Sequence, residues 1–291
     1  MTAFSRIVVV DFSAAATRGP QKPHKDRCWL AWGDDGGQHG APEYFRTRAL
    51  LSARLLELVT DTGGPVLLAW DFPFGYPLAS GLGGGRRIAA RLAGLVRDEP
   101  DDSNNRFEVA ALLNRELGQP PGPFWARPRG LAILEVPERK PDFGERPFPE
   151  WRIVEHRVRG AGHSSIQSVW KLFTTGSVGS QALMGLALIE RLNRRLGPGI
   201  TTRYWPFETD WNGALDGVVH AECWPTLFDH RSQPYDVKDA CQVAATCDGL
   251  LAADAAGRLV AMLGPPPDLS GPELQAVSRE EGWILGFPSR G

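Results

Sequence analysis

Four branched aliphatics, Ile7–Val10, form the first regular run of the chain, and Asp11 closes it. The run reads as a buried strand. The pattern recurs at "VLLAW" (66–70), which ends in Asp71, and at "VVHAE" (218–222), with Glu222 near its end. Runs this apolar suit a parallel sheet with helices on both faces. "CWLAWG" (28–33) and "EYFRT" (43–47) read as two more strands. Short Gly- and Pro-bearing links join them to the first, which suits an antiparallel meander. Leu51, Leu55, Leu58 and Val59 recur at helical spacing until "TGGP" (62–65) stops them. A second amphipathic helix follows Ser177, with Ala182, Leu186, Ile189, Leu192 and Leu196 on one face and Gly197–Pro198 as its stop. A strand near Thr201–Trp205 comes next. In "VKDACQVAATCDGLLAADAAG", the small residues Ala240, Cys241 and Ala244 let a helix lie close to a sheet. Ser270 and Glu273 form a capping box before a short helix, and "GWILGF" (282–287) reads as a closing edge strand.

The stretch 72–176 breaks this regularity. It is rich in Pro, Gly and Arg, and only Arg106–Leu117 reads as a helix. "GLGGGRR" and "ERKPDFGERPFPE" read as loops. Phe124, Trp125, Phe148 and Trp151 need burial, so the stretch reads as an insertion or lid within a single domain spanning 1–291. In "DFPFGYP" (71–77), Pro73 and Pro77 stiffen a turn, and Gly75 is expected to permit an unusual backbone angle.

Without the insertion the element order is βββαβαβα, an α/β protein with a mixed sheet. That order resembles the ribonuclease H-like fold; the strand near Thr201 is extra to it. The resemblance implies a central first strand, parallel to the strand ending at Asp71, with the strand ending at Glu222 beyond. Parallel neighbours put their carboxyl ends on one edge, where open α/β sheets bind ligands. Asp11, Asp71 and Glu222 are then expected to meet there, with Asp239, in the first turn of the last long helix, as a fourth acid. Two carboxylates about 4 Å apart repel by roughly 4 kcal/mol at an effective dielectric of about 20. Several on one edge call for protonation or for a cation between them. Hard oxygen ligands suit Mg²⁺ or Mn²⁺, ions that bind a scissile phosphate and ready a water for in-line attack.

"VVVDFS", "WDFPFGYP", "AECWP" and "VKDACQVAATCDGLLAA" resemble a bacterial family of predicted ribonuclease H-like nucleases, domain-of-unknown-function family 429. Asp11, Asp71, Pro73, Gly75, Pro77, Glu222, Pro225, Lys238 and Asp239 fit the pattern of that family. The resemblance covers 6–71 and 177–256 and leaves out the insertion. It implies the fold and the acids, and it leaves the substrate open. After Asp11 the family often has a Gly-rich segment, where this chain has "FSAAATRGP"; Ser13 there is a candidate substrate contact.

Formal net charge is −2, so no overall field draws in nucleic acid. Nucleases of long duplexes carry more basic surface, which favours a small or structured phosphate-containing substrate, a nucleotide or a nucleic acid. The most basic stretch is "WRIVEHRVRGAGHSS" (151–165), where Arg152, His156, Arg157, Arg159 and His163 could meet phosphates or form a solvated loop. Lys171, Ser177 and Ser180 lie where the insertion meets a helix N-terminus, a place that favours anions. Cys28, Cys223, Cys241 and Cys247 form no CxxC pair and read as reduced thiols of a cytoplasmic protein. No stretch approaches the roughly 18 apolar residues of a membrane span. "HAE" (220–222) is half of a zinc deaminase signature, but Cys241 and Cys247 are wrongly spaced for the other half, so His220 reads as a core histidine. "GLGGGRR" lacks the Lys-Ser/Thr of a P-loop, and no serine sits in G-x-S-x-G.

The expectation is a divalent-metal-dependent phosphoryl-transfer enzyme, a nuclease or nucleotide phosphodiesterase. Asp11, Asp71, Glu222 and Asp239 would be its catalytic and metal-binding acids. Ser13, Lys171, Ser177, Arg157 and Lys238 would contact substrate. The alternatives are a non-catalytic metabolite- or nucleic-acid-binding module on the same fold, and a nucleotide-binding protein of the actin/hexokinase type. The latter needs two such halves, and this chain has room for one.

Overall fold

Ile7, Val8, Val9 and Val10 are all fully buried, because helices cover both faces of the strand they form. The computed structural model describes residues 2–118 and 121–287. It is an α/β structure with a mixed six-stranded sheet in the order β3-β2-β1-β4-β6-β5. The strands are β1 Arg6–Asp11, β2 Cys28–Asp34, β3 Glu43–Phe45, β4 Val66–Trp70, β5 Thr202–Tyr204 and β6 Val218–Glu222. The meander β3-β2-β1 is antiparallel, and β1, β4, β6 and β5 run parallel. Among the described residues there are eight helices. They are α1 Arg48–Thr60, α2 Gly85–Leu95, α3 Arg106–Glu116, α4 Ile153–Gly160, α5 Val178–Leu196, α6 Lys238–Ala255, α7 Leu259–Met262 and α8 Gly271–Ala276.

Strand alternation divides the core in two. Val8, Val10, Leu68 and Trp70 pack with Leu51 and Leu55 of α1, Ile88 of α2 and Leu186 of α5. Ile7, Val9, Leu67 and Ala69 pack on the other face with Val243, Cys247 and Leu250 of α6 and Val154 and Val158 of α4. The stretch 72–176 adds to the first core: Phe107, Phe124, Phe148 and Trp170 join it. The Trp170 ring lies 5.2 Å from Tyr76, 5.0 Å from Phe124 and 5.5 Å from Phe148, centroid to centroid.

Four local expectations change. "GLGGGRR" is not simply a loop, since α2 starts at Gly85 and buries Ile88, Ala89 and Leu92. Its glycines make room for a ring: a Cβ on Gly84 or Gly85 would lie 2.5 Å or 2.8 Å from Phe207. The basic stretch after Trp151 forms α4 rather than a solvated loop. "GWILGF" is no strand. Trp283, Ile284 and Leu285 are buried, and Leu285 N donates to Glu222 O at 2.8 Å, but β4 and β5 already flank β6. Gly75 does not have a positive φ; a Cβ there would lie 2.1 Å from the Glu280 carbonyl oxygen, so closeness of backbones selects the glycine. Among the described residues, no helix is long and apolar enough to cross a membrane.

Candidate functional site: an acid-lined cavity at the sheet edge

The parallel pairing of β1 and β4 sets Val10 beside Trp70. The Asp71 amide donates to the Val10 carbonyl at 3.0 Å, so the ladder runs one residue further and Asp11 and Asp71 end up as neighbours. Alternation gives both the facing of Val9 and Ala69, toward α6. Asp239 sits in the first turn of α6, and its Oδ2 accepts a 2.8 Å bond from the Asp26 amide. Asp11, Asp71, Asp239 and Glu222 all line one cavity of about 590 Å³.

The acids depress one another's ionisation. Burial raises the Asp11 carboxyl well above its ordinary range, and the charges of Asp71, Asp239 and Asp26 push it further against the pull of Lys238. Burial, then Glu222 and Asp239, raise Asp71 to about 7. Asp239 is also raised by burial, opposed by its bond from the Asp26 amide. Without a cation, such a cluster retains a proton near neutral pH.

Glu222 reaches the edge but differs in state. Register sets it beside Trp70, and Cys223, whose amide bonds the Trp70 carbonyl at 2.8 Å, takes the position beside Asp71. Alternation therefore gives Cys223, not Glu222, the facing of Asp71. The Glu222 oxygens are occupied: Oε1 accepts from Arg152 Nη2 at 2.6 Å, and Oε2 from Arg152 Nη1 at 2.8 Å and from the Phe74 amide at 3.2 Å. Burial raises the Glu222 carboxyl while Arg152 opposes the rise. This carboxylate is paired with Arg152 and works as a brace, while its charge still bears on Asp71.

The expected substrate contacts divide. Ser13, Ser177 and Lys238 line the cavity. The Ser13 hydroxyl donates to the Asp26 carbonyl at 2.9 Å, and Lys238 is exposed beside Asp11. Arg157 does not line it; its guanidinium pairs with Asp268 and, at 3.4 Å, with Glu273. Lys171 does not line it either; its ammonium bonds the Thr175 carbonyl at 2.8 Å and Gln167 at 3.1 Å, holding the rim loop. Arg152 is no phosphate contact, since it is fully buried between Glu155 and Glu222. His220 is the expected core histidine. Trp70 Nε1 donates to its Nδ1 at 3.3 Å, its Nε2 lies 2.8 Å from Asn193 Oδ1, and burial lowers its pKa to about 3. Among the lining residues without a sequence signal are Arg106, at the start of α3, and Gln181, whose amide bonds the Phe12 carbonyl at 2.5 Å.

Among the described residues, no three His, Cys, Asp or Glu side chains stand close enough to form a ready-made metal cage. Mg²⁺ rarely uses one. It takes one or two carboxylates and completes its shell with water and substrate oxygens. The hard oxygens of Asp11 and Asp71, with ionisation resisted until a cation arrives, fit that mode. Compared with family models, with curated proteins and with solved structures, the chain matches none.

Proposed function

We propose that this chain is a divalent-metal-dependent phosphoryl-transfer enzyme on a ribonuclease H-like fold, a nuclease or nucleotide phosphodiesterase. The carrying observation is that Asp11, Asp71 and Asp239 line a single cavity, each with its ionisation resisted by burial and by a neighbouring acid. The strand order and parallel pairing of β1, β4 and β6 support the fold assignment. The cavity has room for a nucleotide-sized ligand.

Asp11 and Asp71 would hold the ion, and Mg²⁺ or Mn²⁺ when bound supplies charge neutralisation at a phosphoryl oxygen and an activated water. Asp239, anchored by the Asp26 amide, would orient water from the third side. Lys238 balances charge at the rim, and Ser13 lines the cavity with its hydroxyl held by the Asp26 carbonyl. Arg152 keeps Glu222 from adding a fourth free negative charge. The test is hydrolysis of bis-p-nitrophenyl phosphate and of short oligonucleotides with Mn²⁺ or Mg²⁺. Turnover that needs the ion and that Asp11→Asn and Asp71→Asn both abolish is the expected result. Ion-independent turnover, or turnover intact in both variants, refutes the proposal.

A further inference from the structure

Four arginines of the described chain are buried, and three have carboxylate partners. Arg6 lies 3.8 Å from Asp34, Arg48 lies 2.5 Å from Asp98, and Arg152 pairs with Glu155 and Glu222. Arg106 is different. It is only 9% exposed and lines the cavity, yet among the described residues no carboxylate stands within ion-pair distance of it. Its partners are neutral: Nε donates to Ser180 Oγ at 3.1 Å, and Nη1 to Asn104 Oδ1 at 2.8 Å. The Ser180 hydroxyl donates to the Leu172 carbonyl at 2.5 Å, so its lone pair faces the guanidinium and fixes its tilt. The Phe107 ring lies under the guanidinium carbon at 4.5 Å. Nη2 has no partner among the described residues. Burial, and then the charge of Arg48, weaken its hold on the proton, down to about 10.

A buried charge held in place by neutral groups, with one nitrogen left over, is prepared for an anion. The remaining nitrogen, Nη2, carries two N–H donors for the oxygens of such a group. Arg106 lines the same cavity as Asp11 and Asp71. We propose that Arg106, oriented by Ser180 and Asn104, forms an anion subsite of this cavity that receives a phosphate group of the substrate. Its assignment to a substrate phosphate rests on the phosphoryl-transfer reading above; the existence of an anion subsite does not.

The test titrates inorganic phosphate into metal-free protein at constant ionic strength, followed by calorimetry. Wild type should bind phosphate saturably, and Arg106→Gln should weaken binding about tenfold or more. Arg106→Lys should retain part of the affinity, and Ser180→Ala should lose part with the charge intact; these two carry the test if Arg106→Gln does not fold. Arg157→Ala, outside the cavity, should bind as wild type does, and Asp11→Asn equally well or better. The Mn²⁺-induced rise in melting temperature should survive in Arg106→Gln. No saturable binding to folded wild type, or equal binding by folded Arg106→Gln, overturns the subsite. Acetate binding at Arg106 in place of phosphate overturns the phosphate assignment. A wild type that binds phosphate through Arg106 but ignores Mn²⁺ supports the subsite while refuting the metal reading.

Discussion

Arg152 grips Glu222 with two nearly parallel bonds, Nη1 to Oε2 at 2.8 Å and Nη2 to Oε1 at 2.6 Å, and both side chains are buried. The same guanidinium bonds Glu155 at 2.6 Å and the Glu281 carbonyl at 2.6 Å. One side chain thus ties β6, α4 and the C-terminal segment together beneath the cavity. Removing one member of such a pair leaves the other charged and buried. Arg152→Met should destabilise the fold by about 3–5 kcal/mol in urea titration, and the loss should deepen as pH rises and Glu222 must ionise unpaired. Glu222→Gln should cost less, about 1–3 kcal/mol. A cost below about 1 kcal/mol for Arg152→Met would mean that water already reaches the pair.

The acid wall predicts a stability response to metal that needs no substrate. At about 100 times its Kd, Mn²⁺ should stabilise wild type by roughly 2.7 kcal/mol. Asp11→Asn and Asp71→Asn should each remove most of that gain and, without metal, should melt no lower than wild type, because each relieves repulsion. Differential scanning calorimetry with and without Mn²⁺ decides it. A melting temperature indifferent to metal in all three proteins counts against a cation site.

The turn after Asp71 depends on the fit of Gly75 against the backbone of the Val277–Glu281 turn of π-helix. Gly75→Ala would set a Cβ 2.1 Å from the Glu280 carbonyl oxygen and 2.7 Å from that of Glu281. Both obstacles are main chain and cannot rotate away. The expected cost is about 3 kcal/mol, the upper end for overpacking. The Tyr76 amide bonds the same Glu280 carbonyl at 3.3 Å, so the change should also weaken that bond. Chemical denaturation of this single variant measures the effect.

Much of this was legible in the chain because buried parallel strands announce themselves. Ile7–Val10 and Val66–Trp70 are apolar without interruption, and an acid after each marks the open edge. Register was not legible. A shift of one residue decides whether Glu222 or Cys223 stands beside Asp71, and hydrophobic pattern does not distinguish neighbouring apolar positions. The roles of the arginines were hidden for a related reason. Arg106, Arg152 and Arg157 look alike in sequence, and only the fold separates the unpaired cavity residue, the buried clamp and the surface partner of Asp268. α2 stayed hidden because Gly83–Gly85 reads as a breaker, while Gly84 and Gly85 make room for Phe207 at the helix start.

The pH dependence of metal-free stability follows from Asp71, held at about 7 in the fold against an ordinary 3.8. The unfolded chain releases this proton near pH 4, and the folded chain keeps it up to about pH 7. Between those values the native state binds more protons at Asp71, so this group lowers stability as pH rises, and its part levels off above about 7. Three units correspond to an upper figure of about 4 kcal/mol. Asp71→Asn should flatten this slope, both by removing the group and by relieving part of the upward push on Asp11. Mn²⁺ should oppose the decline in wild type, because it binds the ionised carboxylates that the empty cavity resists. Urea midpoints from about pH 5 to pH 8 in EDTA, compared with the same series in Mn²⁺, test all three points. If wild type and Asp71→Asn share one slope in EDTA, the carboxylates are not crowded, and the electrostatic case for a cation between them fails.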